Sequence, residues 1–449
     1  MKKIIRLLLL SFTMILILGG GFLSYMLLEG TPPQIVPVSM PKVVGKVSEI
    51  RLKASDNRSG IKEIVPILEQ NGKKFAIPPR RYTSAQWWLG SGVRDVQEKW
   101  VIKAQELGLK EGPAKLLVSV RDSSFRNVLK GNEATFEQEV IVDFSPPRIA
   151  LKSLVHNIRS GGAGLVSYKL NEPAVKTGVL IDDLFFPGIS HPSGRKNAYI
   201  SLIALPFDKQ RVKKFLIEAV DEAGNISRMG IPHKIFYKRP KRDRINISDN
   251  FLERKMPYFE MNYPWVKGAT LLDTFLKVNR ELRRKNGEEI KAICSRITPE
   301  RHWEGAFKRL PGSASRANFA DERYYYYKGK KIDRQFHMGV DLASRRHAKV
   351  MAANHGKVVF ADSLGIYGNT IIIDHGLGLY SMYSHLSEMT AEKGEMVTKG
   401  AIIGNTGSTG LAGGDHLHYG MVVNGIFVNP VEWWDGKWIR DHITANINS

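Results

Sequence analysis

Cysteine is all but absent from this sequence: Cys294 stands alone among 449 residues. No intramolecular disulfide can form, and a metal site built on several thiolates is excluded. Acidic residues are in deficit as well, 44 against 66 Lys and Arg, for a formal net charge of +22. Such a balance implies attraction to polyanions, whether nucleic acid, anionic lipid or an acidic wall polymer. Long apolar runs are lacking too, with one exception. Leu7 to Leu28 carries no charge over 22 residues, follows Lys2, Lys3 and Arg6, and is closed by Glu29. As a helix it would reach about 33 Å, enough to cross the hydrocarbon core of a bilayer. It exceeds the ~7–15 apolar residues of a cleaved signal, and Ser24-Tyr25-Met26-Leu27-Leu28 offers no small-x-small site. The basic flank should stay in the cytoplasm. We therefore expect residues 1–30 to be a single-pass signal-anchor helix in the inner (cytoplasmic) membrane. Everything after Gly30 would then lie in the periplasm or outside the cell, which excludes nucleic acid as a partner.

Four hundred further residues leave room for several domains at roughly 150 residues each, and one internal echo helps to divide them. Thr31-Pro32-Pro33-Gln34-Ile35 returns as Ser145-Pro146-Pro147-Arg148-Ile149. Each copy opens a segment with little helical periodicity, in which alternating stretches run into Asp-containing turns. In the first, Leu117-Val118-Ser119-Val120-Arg121 leads to Asp122 and then Asn127; in the second, Leu216-Ile217-Glu218-Ala219-Val220 leads to Asp221 and Asn225. The pattern predicts two β-sandwich modules, 31–144 and 145–238. They resemble bacterial immunoglobulin-like extracellular domains, spacers that could also dock cell-wall or division proteins. The basic stretch Lys238-Arg239-Pro240-Lys241-Arg242 opens a linker and helical segment, 239–297. Within it Leu271, Leu272, Phe275, Leu276 and Leu282 share one helical stripe, and Asn286-Gly287 is expected to stop that helix. Glu288 to Arg296 reads as a second, shorter helix with Cys294 in its core. From 298 to 440 the pattern is β again, with Gly-rich turns around Lys357–Phe360 and Thr370–Ile373. The expected fold class is multidomain and mostly β.

Chemistry-bearing residues concentrate in that last region. Of 12 histidines, seven lie between His337 and His418. Two spacings matter, His337-Met338-Gly339-Val340-Asp341 and His416-Leu417-His418. On a strand, residues two or four apart share a face, and Gly339 is expected to leave room for an ion. On a helix His416 and His418 would diverge by about 200°. Two imidazoles and a carboxylate, with a fourth position left to water, make the ligand set of a catalytic zinc. A fourth protein ligand would close the site, so one of the paired histidines has another task. Spacing alone does not say which.

These motifs stand in one order with Gly356-Lys357-Val358-Val359, Tyr383-Ser384-His385-Leu386-Ser387, Val397-Thr398-Lys399-Gly400 and Gly407-Ser408-Thr409-Gly410. So arranged, they resemble the lysostaphin/LytM-type zinc endopeptidases, which cleave peptide bonds within bacterial peptidoglycan. The resemblance runs from about Trp303 to Trp434. It implies Zn2+ as cofactor, His337, Asp341 and His418 as metal ligands, and His385 and His416 as the catalytic pair. That pair would orient the water, move protons and steady the tetrahedral oxyanion; no Glu or Cys stands in the motifs to do so. It further implies peptidoglycan as substrate, at cross-links or stem peptides, in cell-wall remodelling. Two departures bear on substrate preference: Gly420 where many relatives carry Glu, and the Gly413-Gly414-Asp415 approach to His416. The alternative is a non-catalytic relative that activates wall amidases. Such relatives have lost ligands, whereas all five positions are filled here. Asn318 falls where latent relatives place an asparagine across the zinc. His347, His355 and His375 match no ligand spacing and are expected at the surface or in loops. Trp433 and Trp434 should close the core, and Tyr324 to Tyr327 should be strand packing.

Overall fold

A computed structural model describes residues 2–82, 93–153 and 156–447. The chain divides into two compact units, residues 1–147 with 220–226, and residues 148–219 with 227–449.

The first unit begins with the helix Lys2–Leu27. Its segment Lys3–Phe22 is long and apolar enough to cross a membrane, and none of it is buried against protein. A β-sandwich follows. One sheet has three strands, Gln34–Ser39, Ser48–Ser55 and Asp95–Ile102; the other is built on Ile61–Gln70, Gly112–Asp122 and Glu133–Val142. Alternation explains the packing. Along Ser48–Ser55, Ile50, Leu52 and Ala54 are buried while Arg51 and Lys53 face water. They meet Ile64, Leu68, Leu116, Val118 and Val120 from the opposite sheet.

The echo in the sequence is realised as a repeated clamp. The Asn132 amide donates to the carbonyls of Glu29 (3.0 Å) and Thr31 (3.4 Å) and to the Asp122 carboxylate (2.8 Å). Asn225 does the same for Asp143 (3.2 Å), Ser145 (3.5 Å) and Asp221 (3.0 Å). Each Asp–Asn pair thus satisfies the backbone just before a Pro-Pro dipeptide, where proline nitrogens supply no donors. Asn127 lies outside this clamp; its amide donates to the Gly131 carbonyl (2.9 Å).

The second unit holds the remaining sheets. Two are four-stranded, one around Ala163–Leu170 and Ala198–Ala204, the other around Lys176–Ile181 and Phe215–Val220. An eight-stranded sheet has at its centre Val340–Ala343, Leu417–Val423, Leu379–Leu386 and Asn369–Asp374. Leu379–Leu386 and Leu417–Val423 are buried along their whole length, because the sheet is covered on both faces. Tyr419, Met421 and Trp433 belong to a core that continues into Leu165, Leu202 and Ile203. On the other face, Tyr380, Met382 and Val422 meet Met256, Phe259, Phe275 and Ile290 of the helical segment.

That segment departs from the sequence reading. The helix Asp249–Asn262 is capped by Ser248, and a second helix starts at Leu271 with a capping box of Thr270 and Asp273. It continues through a π turn, Val278–Leu282, into Arg283–Ile293. Asn286-Gly287 therefore stops nothing. Asn286 is buried and accepts from the Ile366 N–H (3.0 Å); a tertiary bond meets its polarity and the helix runs on. Cys294 caps this same helix in the core. The basic stretch before it leads into a strand, Arg242–Ile247, paired in parallel with Glu322–Tyr327. Trp433 is fully buried against Trp303 and Phe307, ring centroids 5.6 Å from each. His375 is also fully buried, between the His355 carbonyl (2.7 Å) and the Ser381 hydroxyl (2.7 Å). It is no surface residue: burial lowers its pKa to about 4 and keeps it a neutral core histidine.

Candidate metal centre and cleft

Register in the eight-stranded sheet brings the candidate residues together. Val340–Ala343 pairs antiparallel with Leu417–Val423, which sets Asp341 opposite His418. On the other side of the same strand, Ser384 stands opposite His418, so the next residue, His385, reaches the same place. His337 lies just ahead of the first strand, tied down by its N–H to the Asp321 carbonyl (3.0 Å).

Three donor atoms converge there. His337 Nε2, Asp341 Oδ1 and His418 Nδ1 lie 2.9 Å from one another, pair by pair. All three residues are buried. His337 Nδ1 must carry a proton, because it bonds the Asn318 carbonyl (2.9 Å). That leaves a lone pair on Nε2, pointing at an ionised carboxylate and at a second imidazole nitrogen. Converging lone pairs repel unless a cation lies between them, so the donor set fits a divalent metal. The Asn318 carbonyl supplies the outer hydrogen bond that orients a ligating histidine. It is this backbone group that the structure brings to the cluster.

Electrostatics agree with that reading. Burial would raise the Asp341 pKa, but positive charge and N–H donors on the surrounding histidines, His337 first, hold it well below the usual carboxylate range; a metal ion would take the place of those protons. Burial lowers His418 to about 4 and pushes His385 well down. Neutral imidazoles and an ionised carboxylate are the forms that coordinate. His416 differs. Burial disfavours its charge, yet the Asp341 carboxylate, 3.5 Å from Nε2, outweighs this and raises its pKa. The His385 and His416 rings lie 4.8 Å apart between centroids. His385 Nδ1 donates to the Thr409 carbonyl (2.9 Å) and His416 Nδ1 to Gly414 (2.8 Å), which leaves both Nε2 atoms for chemistry. His385 is held at φ +64°, a left-handed conformation costly for a non-glycine residue.

Gly339 has a different task from the one expected. A Cβ there would lie 2.6 Å from His418 Nε2 and 2.7 Å from the Tyr419 carbonyl. Its bare backbone makes room for the His418 ring, and only through that ring for an ion.

All five candidate residues line one cleft of about 310 Å3. Sequence reasoning missed two others on its wall. Arg323 Nη2 donates to Asp341 Oδ2 (2.7 Å), so one carboxylate oxygen is held by a guanidinium while the other faces the cluster. Tyr367 is buried with its ring centroid 5.4 Å from that of His418. Neither stands at a ligand spacing; the basic residue four after Phe319 and the Tyr-Gly-Asn turn were the only signals. His347 is exposed and bonds Ser387, away from the cluster.

Comparison with known proteins bears on residues 335–430, which match the model of Peptidase family M23. Over 97 residues the chain is 40% identical to DD-carboxypeptidase/endopeptidase Mpg of Neisseria meningitidis, covering 22% of each protein. Over 161 residues it is 29% identical to Peptidoglycan DD-endopeptidase ShyA of Vibrio cholerae, 36% of this chain and 34% of that one. The chain thus spans between about a fifth and a third of these curated relatives. Among solved structures it is similar to the catalytic domain of lysostaphin from Staphylococcus simulans. That match has 28% identity and a TM-score of 0.25, covering 29% of this chain and 98% of that one.

Proposed function

Taking residues 335–430 as a peptidase domain of family M23, we propose that this chain is a zinc-dependent endopeptidase acting on bacterial peptidoglycan. It hydrolyses peptide bonds in cross-links or stem peptides and so remodels the wall. The helix Lys2–Leu27 holds it in the cytoplasmic membrane with the catalytic domain outside. The β-sandwich modules serve as spacers and as docking surfaces for wall or division proteins.

The observation that carries this reading is the mutual 2.9 Å approach of His337 Nε2, Asp341 Oδ1 and His418 Nδ1. Those residues would hold zinc, with the cleft side open. The chemistry such an ion supplies is Lewis acidity, toward the scissile carbonyl and toward water. The protein's own groups do the rest. His385, neutral and with Nδ1–H anchored on Thr409, presents Nε2 to take a proton from the attacking water. His416, biased toward its charged form by Asp341, steadies the developing oxyanion and returns a proton to the leaving amine.

Purified peptidoglycan incubated with the full chain in detergent should release peptides with new amino and carboxyl ends, identified by mass spectrometry. A chelator should stop the release and zinc restore it. Intact wall peptides, with amidases stimulated instead, would favour the non-catalytic alternative.

A further inference from the structure

Arg283 has no part in the chemistry above, yet it lines the same cleft. It follows directly on the π turn Val278–Leu282, and such turns re-aim side chains and recur at functional sites. Its guanidinium is fixed by one residue: Nε donates to the Asn279 carbonyl (3.1 Å) and Nη2 to the Asn279 side chain (2.6 Å). Asn279 is fully buried and is itself held by Asp333 (2.7 Å). The charge of Asp333 is met by Arg280 (3.0 Å), so Arg283 is oriented by neutral groups only. Among the described residues it makes no ion pair, and its Nη1 makes no hydrogen bond.

Arg323 brings a second guanidinium to the wall. One nitrogen is spent on Asp341, and its Nε is buried without a hydrogen-bond partner, so its charge is compensated by that one carboxylate while it lies against the cleft. The cleft wall therefore carries two guanidinium groups against a single carboxylate, Asp341. Phe251, Phe275, Tyr325 and Leu411 make the neighbouring wall apolar, which strengthens any ion pair formed there.

We propose that Arg283, with the Arg323 guanidinium adding positive charge to the same wall, forms a subsite for a free carboxylate of the peptide being cleaved. This rests on the peptidase reading and adds a specificity element to it. A guanidinium fork suits a planar carboxylate, which it can bind through two parallel hydrogen bonds. The subsite would select acidic peptides over their amidated forms.

The test uses cross-linked peptides released from peptidoglycan, either unmodified or with free carboxyls converted to carboxamides. Singly amidated forms, α-carboxyl or side-chain carboxyl, identify the group recognised. Binding is measured by calorimetry to the zinc-loaded full chain carrying His385→Ala, and hydrolysis by the unaltered protein is followed in parallel. The acid should bind about 10–100-fold tighter than the amide, the scale of a charge-assisted hydrogen bond. Adding Arg283→Gln should abolish the difference. Arg283→Lys, which keeps the charge without the fork, should restore part of it and separates lost recognition from lost fold. Equal binding of acid and amide, or a preference that survives Arg283→Gln, overturns the subsite. Absence of hydrolysis with the binding preference intact supports the subsite and counts against the peptidase reading alone.

Discussion

Replacing Glu432 by Gln should stabilise the protein above neutral pH and leave it unchanged at acid pH. Glu432 Oε2 accepts from the Ala163 N–H (3.2 Å), and a Cβ on Gly162 would lie 2.9 Å from Oε1. The carboxyl is therefore wedged against the backbone of the 156–236 strands, beside the Asn429 N–H to Gly161 bond (2.7 Å). Burial pushes its pKa up from 4.5 to about 7; the Ala163 N–H and Arg159 oppose this only in part. The sign follows. A carboxyl whose pKa is raised on folding contributes its full stability below the unfolded value, near 4.5, and loses it as pH rises through about 7. Over that window the loss is about 3 kcal/mol, at ~1.4 kcal/mol per pH unit. Gln carries no charge at any pH and keeps an acceptor for the Ala163 N–H. Thermal unfolding of both proteins, followed by circular dichroism in detergent from pH 4.5 to 8.5, should give coincident midpoints at the acid end. At the alkaline end the variant should melt higher by on the order of 5–10 °C. Parallel profiles, with one constant offset between the two proteins, would refute the buried-acid argument. A variant less stable at pH 8 would refute it too.

Four further outcomes are expected. Elemental analysis should find about one zinc per chain, most of it lost in His337→Ala, Asp341→Ala and His418→Ala. His385→Ala and His416→Ala should keep the zinc while wall digestion slows about 10²-fold or more; a loaded His418→Ala beside an empty His416→Ala would reverse the two roles. Gly339→Ala, which alters no ligand, should still lose zinc, because its Cβ would collide with the His418 ring; full metal content in a folded Gly339→Ala would show that the ring can shift freely. A reporter fused to the C-terminal end should be active only outside the cytoplasm, with the chain retained in membranes; a soluble exported chain beginning near Gly30 would show cleavage instead.

How much of this was legible in the sequence differs from element to element. The strands around the candidate metal centre were, because side chains alternate with period two and the runs Lys357–Phe360 and Thr370–Ile373 sit between glycine turns. The first helix was, because an uncharged run of that length has few other folded solutions. The Asn286-Gly287 signal failed because local propensity is weak beside a buried tertiary hydrogen bond from Ile366. His375 lies between strands, as one of the two expectations had it, but its full burial was not legible, for a related reason. Its partners, the His355 carbonyl and Ser381, become neighbours only when the strands pair. Asn132, which binds Asp122, was not singled out, because proximity along the chain says little about which side of a turn an amide faces.

By itself the sequence determined the inventory. It placed His337 and Asp341, and His416 and His418, at spacings suited to metal chemistry, excluded a thiolate site, and marked one stretch able to cross a bilayer; His385 came in only through the family resemblance. Those properties are local, since they depend only on residue type and on the two-residue repeat of a strand. Tertiary structure alone decided the rest. Strand register set His418 rather than His416 opposite Asp341, and sheet packing put a helical wall with Arg283 beside the cleft. Folding also brought the half-buried Glu432 against Ala163, 269 positions away in sequence. Ion pairs, buried charges and vacant donors are relations between distant residues, and they exist only once the chain has closed.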